Sequence, residues 1–547
     1  MAPKEYDTII FDIGDVLFDW DSSAITALPQ KVMLRIMDSN HWHSLERNTI
    51  STDEAYRNLA QDFGVKPSAI RLALEQARST LRVNKEGLAL IHDLVEAKER
   101  NPGRFKVYAM SNIAQEHLNI VQNNSSFPWS VFDRIFTSYE AGMRKPDLCF
   151  YRNIINKTGC NQSRTLYLDD KAENICAGRL LGLRGEMVDR NHRRRAFNIV
   201  RHLLLGDTSS RAERFLRANA GKLDSVIILP GGDMVLKDNF AQLLIWGLTE
   251  MDDIVYLVWP DGTVQGDFQE PGLIDTERPS SSTSSTASPS TPNKQQVSAK
   301  NGLWCYFAQK PILTENYSTD IETTSVAYLN IPTTHHSFKR LAHPSLVAEA
   351  ILANLNADGH WEAYFNSDRH GRINPEMCIS ALRFINKFGS ADLIPGIPNL
   401  DVVDERVAKT RDLIVDGLAN RAILYGDRFY PFPEPFLYWV AMLYCECKDT
   451  SPNLHADLGK HLENALMERL HVPLNALALA MRVRACQLAG MRKELVQPDL
   501  DNLLEMQEED GGWPAGFFCS YGRIQSQKIG SRGYATALVW RILKDYE

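Results

Sequence analysis

The sequence predicts a multidomain protein whose two halves differ in class: an α/β region built on a parallel sheet, followed by an all-α region. In residues 1–206, short apolar runs that end in polar residues alternate with helical patterns, the order a parallel sheet with crossover helices requires. From residue 207 to 547 the chain reads instead as a succession of helices with few strand signals. Within that second half, residues 277–300 (ERPSSSTSSTASPSTPNKQQVSAK) are dominated by serine, threonine and proline. Such a segment cannot bury enough apolar surface to order itself, and is expected to form a disordered loop or linker that need not be a domain border.

The elements follow in order. DTIIFDIGDVLF (7–18) reads as a buried strand entering a glycine-containing turn, and residues 20–100 are mostly helical by pattern. FKVYAMSN (105–112), DRIFTS (133–138) and TLYLDD (165–170) read as further strands. Ligands of such a sheet sit beyond the carboxyl ends of the strands, where the sequence places Asp12, Ser111, Asn112, Asp169 and Asp170. In the second half, 340–356, 376–389, 402–424, 435–447, 455–471 and 473–491 read as helices, closed by a last one in YATALVWRIL.

Composition narrows the functional classes. A chain of 547 residues with 44% hydrophobic content can bury sizeable cores, and a net charge of −8 argues against a nucleic-acid binder, which needs a basic surface. Nine cysteines without a Cys-x-x-Cys pair argue against a zinc ribbon. No signal-peptide core and no run of 18 apolar residues is present, so a cytoplasmic protein with no membrane span is expected. No sequence feature sets an oligomeric state.

Four strand-end motifs occur in a telling order: FDIGDV with Asp12, AMSN with Ser111, MRKPD with Lys145, and YLDDKAEN with Asp169 and Asp170. Together they resemble the haloacid dehalogenase superfamily over residues 5–205. The resemblance implies a carboxylate nucleophile, Asp12, that forms an aspartyl-phosphate. Ser111, Asn112 and Lys145 would hold the phosphoryl oxygens. Mg2+ would be held by Asp12, Asp169 and Asp170, and a helical cap would span about residues 20–90. One departure matters: the family's usual general acid, two residues after the nucleophile, is Gly14 here. A phosphate leaving group needs less protonation than an alkoxide, so Gly14 suits cleavage of a diphosphate anhydride, a slow monoesterase, or a scaffold without turnover. Neighbouring Asp15 should point elsewhere.

In the second half, NYSTDIETTS (316–325) sets Asp320 two residues before Glu322. Taken alone, this is a helix start capped by Ser318 or Thr319, with the carboxylates favouring the dipole. It also suits an acid that protonates an alkene, a weak base. Such an acid must be neutral near pH 7, whereas an isolated carboxyl has a pKa of about 4; burial and a second carboxyl raise it. DIETT resembles the Asp-x-Asp-Thr-Thr motif of class II terpene cyclases. QEEDGGW (507–513) matches the Gln-x3-Gly-x-Trp repeat of their β-type domains through Gln507, Gly511 and Trp513. ADGHWEAYF (357–365), YGDRFYPFPEPFLY (425–438) and IGSRGYATAL (529–538) are similar to other segments of these cyclases.

A dehalogenase-like domain fused to one such α/α barrel resembles the family that makes drimane-type sesquiterpenes of the drimenol or albicanol kind. The resemblance implies a prenyl diphosphate substrate, with Glu322 as proton donor and Asp320 as its partner, although glutamate stands where the family usually has aspartate. Trp361, Tyr364, Phe365, Trp513 and Tyr521 are candidates for a cation-tolerant pocket. Arg523, Lys528 and Arg532 are candidates for holding the diphosphate, with Arg369 and Arg372 behind them. No Asp-Asp-x-x-Asp motif is present to ionise the diphosphate. Two alternatives stand beside this: a phosphatase for another phosphate ester with a helical binding module, and a silent dehalogenase-like scaffold.

Overall fold

A computed structural model describes residues 6–123, 126–229, 231–265, 302–309, 318–365, 373–401, 404–521 and 527–546. The segment 277–300 lies outside them. The chain divides into two compact units, Met1–Thr208 and Ser209–Glu547.

In the first unit, a parallel sheet carries five strands in the order Arg134–Thr137, Lys106–Ser111, Thr8–Phe11, Thr165–Asp169, Arg184–Met187. Thr8–Phe11 lies at the centre, with Thr8 paired to both Lys106 and Thr165. Its four residues are all buried, because helices cover both faces and no polar alternation is needed. Ile9 and Phe11 enter the core on the face of helix Lys85–Arg100, while Ile10 joins Tyr108, Met110 and Phe150 on the other. The Arg184–Met187 strand escaped the sequence reading: RGEM sits at the sheet edge and shows no apolar run. Four helices, Gln30–Met37, Asn40–Glu46, Thr52–Phe63 and Pro67–Ser79, form a cap with its own core around Ile36, Trp42, Leu59 and Ile70. The cap joins the sheet half through the short pair Phe18–Asp19 with Arg82–Val83.

In the second unit, six helices close a ring: Asn239–Thr249, Ile321–Asn330, Pro375–Gly389, Glu434–Cys447, Ala476–Leu488 and Arg532–Tyr546. Each packs on the next and the last returns to the first. These inner helices are buried on nearly every side, as in Ala476–Leu488, where all of residues 476–483 are covered. The outer helix Pro452–Met467 is instead one-sided: Leu454, Leu458, Leu462 and Leu466 recur every four residues and alone are buried. This α/α barrel is not purely helical. A small antiparallel sheet, ordered Cys519–Ser520, Lys528–Gly530, Ser225–Ile228, Met234–Leu236, accompanies the expected helices. Its strands, two to four residues long, are too short to show a periodicity.

The Gln-x3-Gly-x-Trp motif ties this unit together. Gln507 Nε2 donates to the Gly511 carbonyl at 3.0 Å, and Arg211 Nη1 donates to Gln507 Oε1 at 3.1 Å. Gly511 has φ +91°, and a Cβ there would meet the Arg211 carbonyl at 2.4 Å, so glycine is required twice over. The Trp513 indole is fully buried and donates to the Leu503 carbonyl at 2.7 Å.

Candidate active sites

At the carboxyl ends of the parallel strands, Asp12, Lys145 and Asp169 meet. Lys145 is 1% exposed, and its Nζ lies 2.9 Å from Asp12 Oδ1 and 2.6 Å from Asp169 Oδ2. Asp169 also accepts from Tyr167 (2.5 Å), Asn174 Nδ2 (2.8 Å) and the Lys171 N–H (2.9 Å). Burial works against its charge, but Lys145 and these donors outweigh it and hold its pKa low. Burial likewise opposes the Lys145 ammonium, and the two aspartates more than offset it. Burial pushes Asp12 up to about 6, with Lys145 pulling down and Asp169 pushing up. Asp170 is pushed up to about 7, by burial first and then by Asp12 and Asp169.

Ligand atoms of Asp12, Asp169 and Asp170 all lie within 4.8 Å of one another. An all-oxygen donor set under mutual repulsion fits a hard divalent cation. Asp169 is already committed to protein donors, which leaves Asp12 and Asp170 with the lone pairs to offer. Ser111 ends its strand beside them, buried. Asn112 differs from expectation: its Nδ2 donates to the Lys145 carbonyl (2.9 Å) and its Oδ1 accepts from the Lys145 N–H (2.8 Å). Its side chain therefore fixes the lysine loop instead of reaching for phosphate. Gly14 stands in the open, with nothing within 4 Å of a Cβ built there. Asp15 turns away to Arg190 and the Trp20 indole.

In the second unit, the acid pair opens the helix Ile321–Asn330. The N-cap is Asp320 itself, not Ser318 or Thr319: its Oδ1 accepts from the Thr323 N–H at 2.6 Å. A carboxylate outcompetes a hydroxyl for that orphan donor near the positive end of the dipole. Glu322 lies in the first turn, 3% exposed, and its Oε2 accepts from the Tyr430 hydroxyl at 2.6 Å. Glu322 Oε1 and Asp320 Oδ2 have no hydrogen-bond partner among the described residues. Burial pushes Glu322 up to about 8; Tyr430 pulls down, and Asp320 and Asp427 push up. Burial pushes Asp320 up to about 7 against its backbone hydrogen bonds.

The segment around Tyr364 runs alongside the acids, with the Ile321 N–H donating to the Ala363 carbonyl and the Phe365 N–H to the Thr319 carbonyl, both at 3.0 Å. Tyr364 and Phe365 are thereby brought to the acid, and buried Trp361 follows on the same strand-like segment. Tyr521 packs against Phe307, with ring centroids 6.1 Å apart. Trp513 belongs to the packing of the closing turn described above. Lys528 lies over the Phe517 ring and donates to Ser520 Oγ at 3.0 Å. Arg532 is committed to Glu508 and Asp510 and to the Phe215 ring, which leaves it serving the same turn as Trp513. Arg523, Arg369 and Arg372 lie outside the described residues.

Sequence reasoning missed Tyr430, Asp427, Asn374 and Glu376. Their signal is faint: Gly426-Asp427 is a turn dipeptide inside a cyclase-like segment whose Tyr430 lies 108 positions from Glu322.

The fold and the two sites define a class: a dehalogenase-like unit joined to a class II cyclase-type barrel. Residues 209–388 match the sesquiterpene cyclase astC-like C-terminal domain family. Drimenol cyclase drtB of Aspergillus calidoustus is 30% identical over 532 residues, covering 97% of this chain and 86% of that one. The sesquiterpene phosphatase astK of Aspergillus oryzae is 32% identical over 176 residues, 32% of this chain and 86% of that one. Flavin mononucleotide hydrolase 1 of Arabidopsis thaliana is 23% identical over 184 residues, 32% of this chain and 70% of that one. The chain belongs to the family of fused dehalogenase-like and class II cyclase proteins that contains drimenol cyclase. No helix among the described residues is long and apolar enough to cross a membrane.

Proposed function

We infer that the protein is a class II sesquiterpene cyclase that converts farnesyl diphosphate to a bicyclic drimane-type diphosphate, drimenyl or albicanyl, and that its first unit then removes phosphate. The observation that carries this is Glu322: a buried carboxyl held neutral, with one oxygen fixed and the other without a partner among the described residues. Neutrality is what protonation of an alkene demands, and the opening of a packed helix is a rigid place from which to aim.

In this reading Glu322 gives its proton to the terminal alkene carbon, whose π electrons form the new C–H bond. The cation left on the neighbouring carbon is attacked in turn by the two remaining alkenes, and loss of a proton from the bicyclic cation restores a double bond. The diphosphate is retained. Asp320, with one oxygen spent as a helix cap, supports the neutral state of Glu322 rather than delivering the proton itself. Tyr364 and Phe365 offer ring faces to the cation.

In the first unit Asp12 attacks phosphorus while Lys145 and Ser111 hold the phosphoryl oxygens. Asp12 and Asp170 would hold Mg2+, which supplies charge neutralisation at the phosphoryl group when bound. With Gly14 in place of the general acid, cleavage of the anhydride, whose leaving group is a phosphate ester, is the easier step.

The test is product analysis after incubation with farnesyl diphosphate and Mg2+, extracted with and without added phosphatase. A bicyclic alcohol is expected from the native chain and from Asp12→Ala after added phosphatase, and none from Glu322→Gln. Linear farnesol alone from the native chain would overturn the reading.

A further inference from the structure

Glu322 carries one methylene more than the aspartate usual at its place, and so one more rotatable bond to fix. We propose that Tyr430 is the positioning residue of the cyclisation acid: its hydroxyl selects the Glu322 oxygen that carries the proton and anchors the longer side chain. The proposal rests on the reading of Glu322 as the acid and deepens it.

A neutral carboxylic acid has one carbonyl oxygen and one hydroxyl oxygen, and the carbonyl oxygen is the better acceptor. A donor held 2.6 Å from Oε2 makes Oε2 the carbonyl oxygen and leaves the proton on Oε1. Oε1 is the oxygen without a partner, so the transferable proton sits where no group among the described residues competes for it. When that proton leaves, negative charge grows on the carboxyl group, and the hydrogen bond already in place strengthens without reorganisation.

The sequence holds Tyr430 firmly. Gly426 has φ +70°, and a Cβ there would meet the Tyr430 carbonyl at 2.2 Å and the Phe432 nitrogen at 2.3 Å, so the loop winds tightly over a glycine. Asp427 Oδ1 accepts from the N–H groups of Phe429 (2.7 Å) and Tyr430 (2.6 Å), and its own N–H donates to the Tyr430 carbonyl at 2.6 Å. Asn374 Nδ2 donates to Asp427 Oδ2, while Asn374 Oδ1 caps the helix Pro375–Gly389 through the Met377 N–H at 2.8 Å. The tether thus runs from a helix cap through a turn to a phenol and the acid.

The other titratable groups near Glu322 come from five elements: Asp320 on its own helix, Asp427 in the turn, Glu376 and Cys378 on Pro375–Gly389, Cys519 on its strand, and Tyr534 on the last helix. Burial raises the two thiols, the Tyr534 phenol and Glu376, which keeps them protonated. Among the groups acting on Glu322, Asp320 and Asp427 push its pKa up and Tyr430 pulls it down. Removing the phenol therefore leaves an acid that is harder to ionise and less well aimed.

The experiment measures initial cyclisation rates against pH for the full chain, Tyr430→Phe, Glu322→Asp and the double variant, with farnesyl diphosphate as substrate. Tyr430→Phe is expected to lower kcat by about 10–100-fold with KM within about twofold, and to move the alkaline limb to higher pH. Glu322→Asp withdraws the carboxyl from Tyr430, so adding Tyr430→Phe to it should cost almost nothing more. An unmoved alkaline limb in Tyr430→Phe, or fully additive losses, would overturn the proposal. If Tyr430→Phe does not fold, infrared difference spectra of the native chain minus Glu322→Gln decide: a carboxylic acid band at the lowered frequency of a hydrogen-bonded carbonyl is expected, and a band at the free frequency would overturn it. Cyclisation by Glu322→Gln would instead overturn the acid assignment on which the proposal rests.

Discussion

Two buried carboxyl pairs, one in each unit, are solved in opposite ways. Asp12 and Asp169 share a lysine: Lys145 sits within 2.9 Å of both, and Asp169 stays ionised despite full burial. Asp320 and Glu322 have each other, backbone donors, a phenol and Asp427 about them, with no cation among the perturbing groups of the described residues, and they are pushed up to about 7 and 8. A nucleophile must be charged and an alkene-protonating acid must be neutral. In the reading proposed above these are the tasks of Asp12 and Glu322: burial raises both, Lys145 offsets part of it at Asp12, which is left at about 6, and Glu322 is left at about 8.

The largest expected effect comes from removing the neutral acid. Glu322→Gln should lower cyclisation by about 10³-fold or more while phosphate release from a prenyl diphosphate continues, read by product analysis on one preparation. Next, Lys145→Met removes the cation that separates the two sites. Release of phosphate should fall by about 10²–10³-fold, and cyclisation should not change. A variant that lost both activities would show the comparison to be wrong. A gain of function is smaller: a side chain at Gly14 meets nothing within 4 Å, so Gly14→Asp should fit and supply the missing general acid. Turnover of an alkyl phosphate monoester is expected to rise about 10-fold or more, with hydrolysis of the anhydride little changed.

Much of the first unit was legible because its strands are apolar runs that stop at polar residues; three of them fall within a residue of their expected spans. The edge strand was not, since Arg184 and Glu186 leave RGEM without a pattern. Helix Lys493–Glu505 was hidden by an internal Pro498, whereas the polar start of the acid helix was legible as a helix N-terminus. The acid pair could be found from local spacing. Its controls could not: Tyr430 and Asp427 reach Glu322 through a turn that lies far along the chain, and hydrogen bonds of that kind leave no periodicity. The cap was misassigned for a local reason, as Asp320 binds the Thr323 N–H better than the hydroxyls before it.

The smallest expected effect is on stability. Glu322 holds a proton in the folded state up to about pH 8, whereas its unfolded value is ordinary. Between those values the folded state binds more protons than the unfolded, so stability falls as pH rises through that window. Glu322→Gln removes this term, and the melting temperature of the variant should decline less between about pH 6 and pH 9 than that of the native chain.

The most direct test of the contrast between a neutral and a charged carboxyl site is the pH dependence of the two activities on one sample of the native protein. Cyclisation should hold steady at neutral pH and fall as pH rises through about 8, where Glu322 ionises, while phosphate release persists because Asp12 is already charged. Cyclisation that rises with pH, or that stays level well beyond the ionisation of Glu322, would contradict the account.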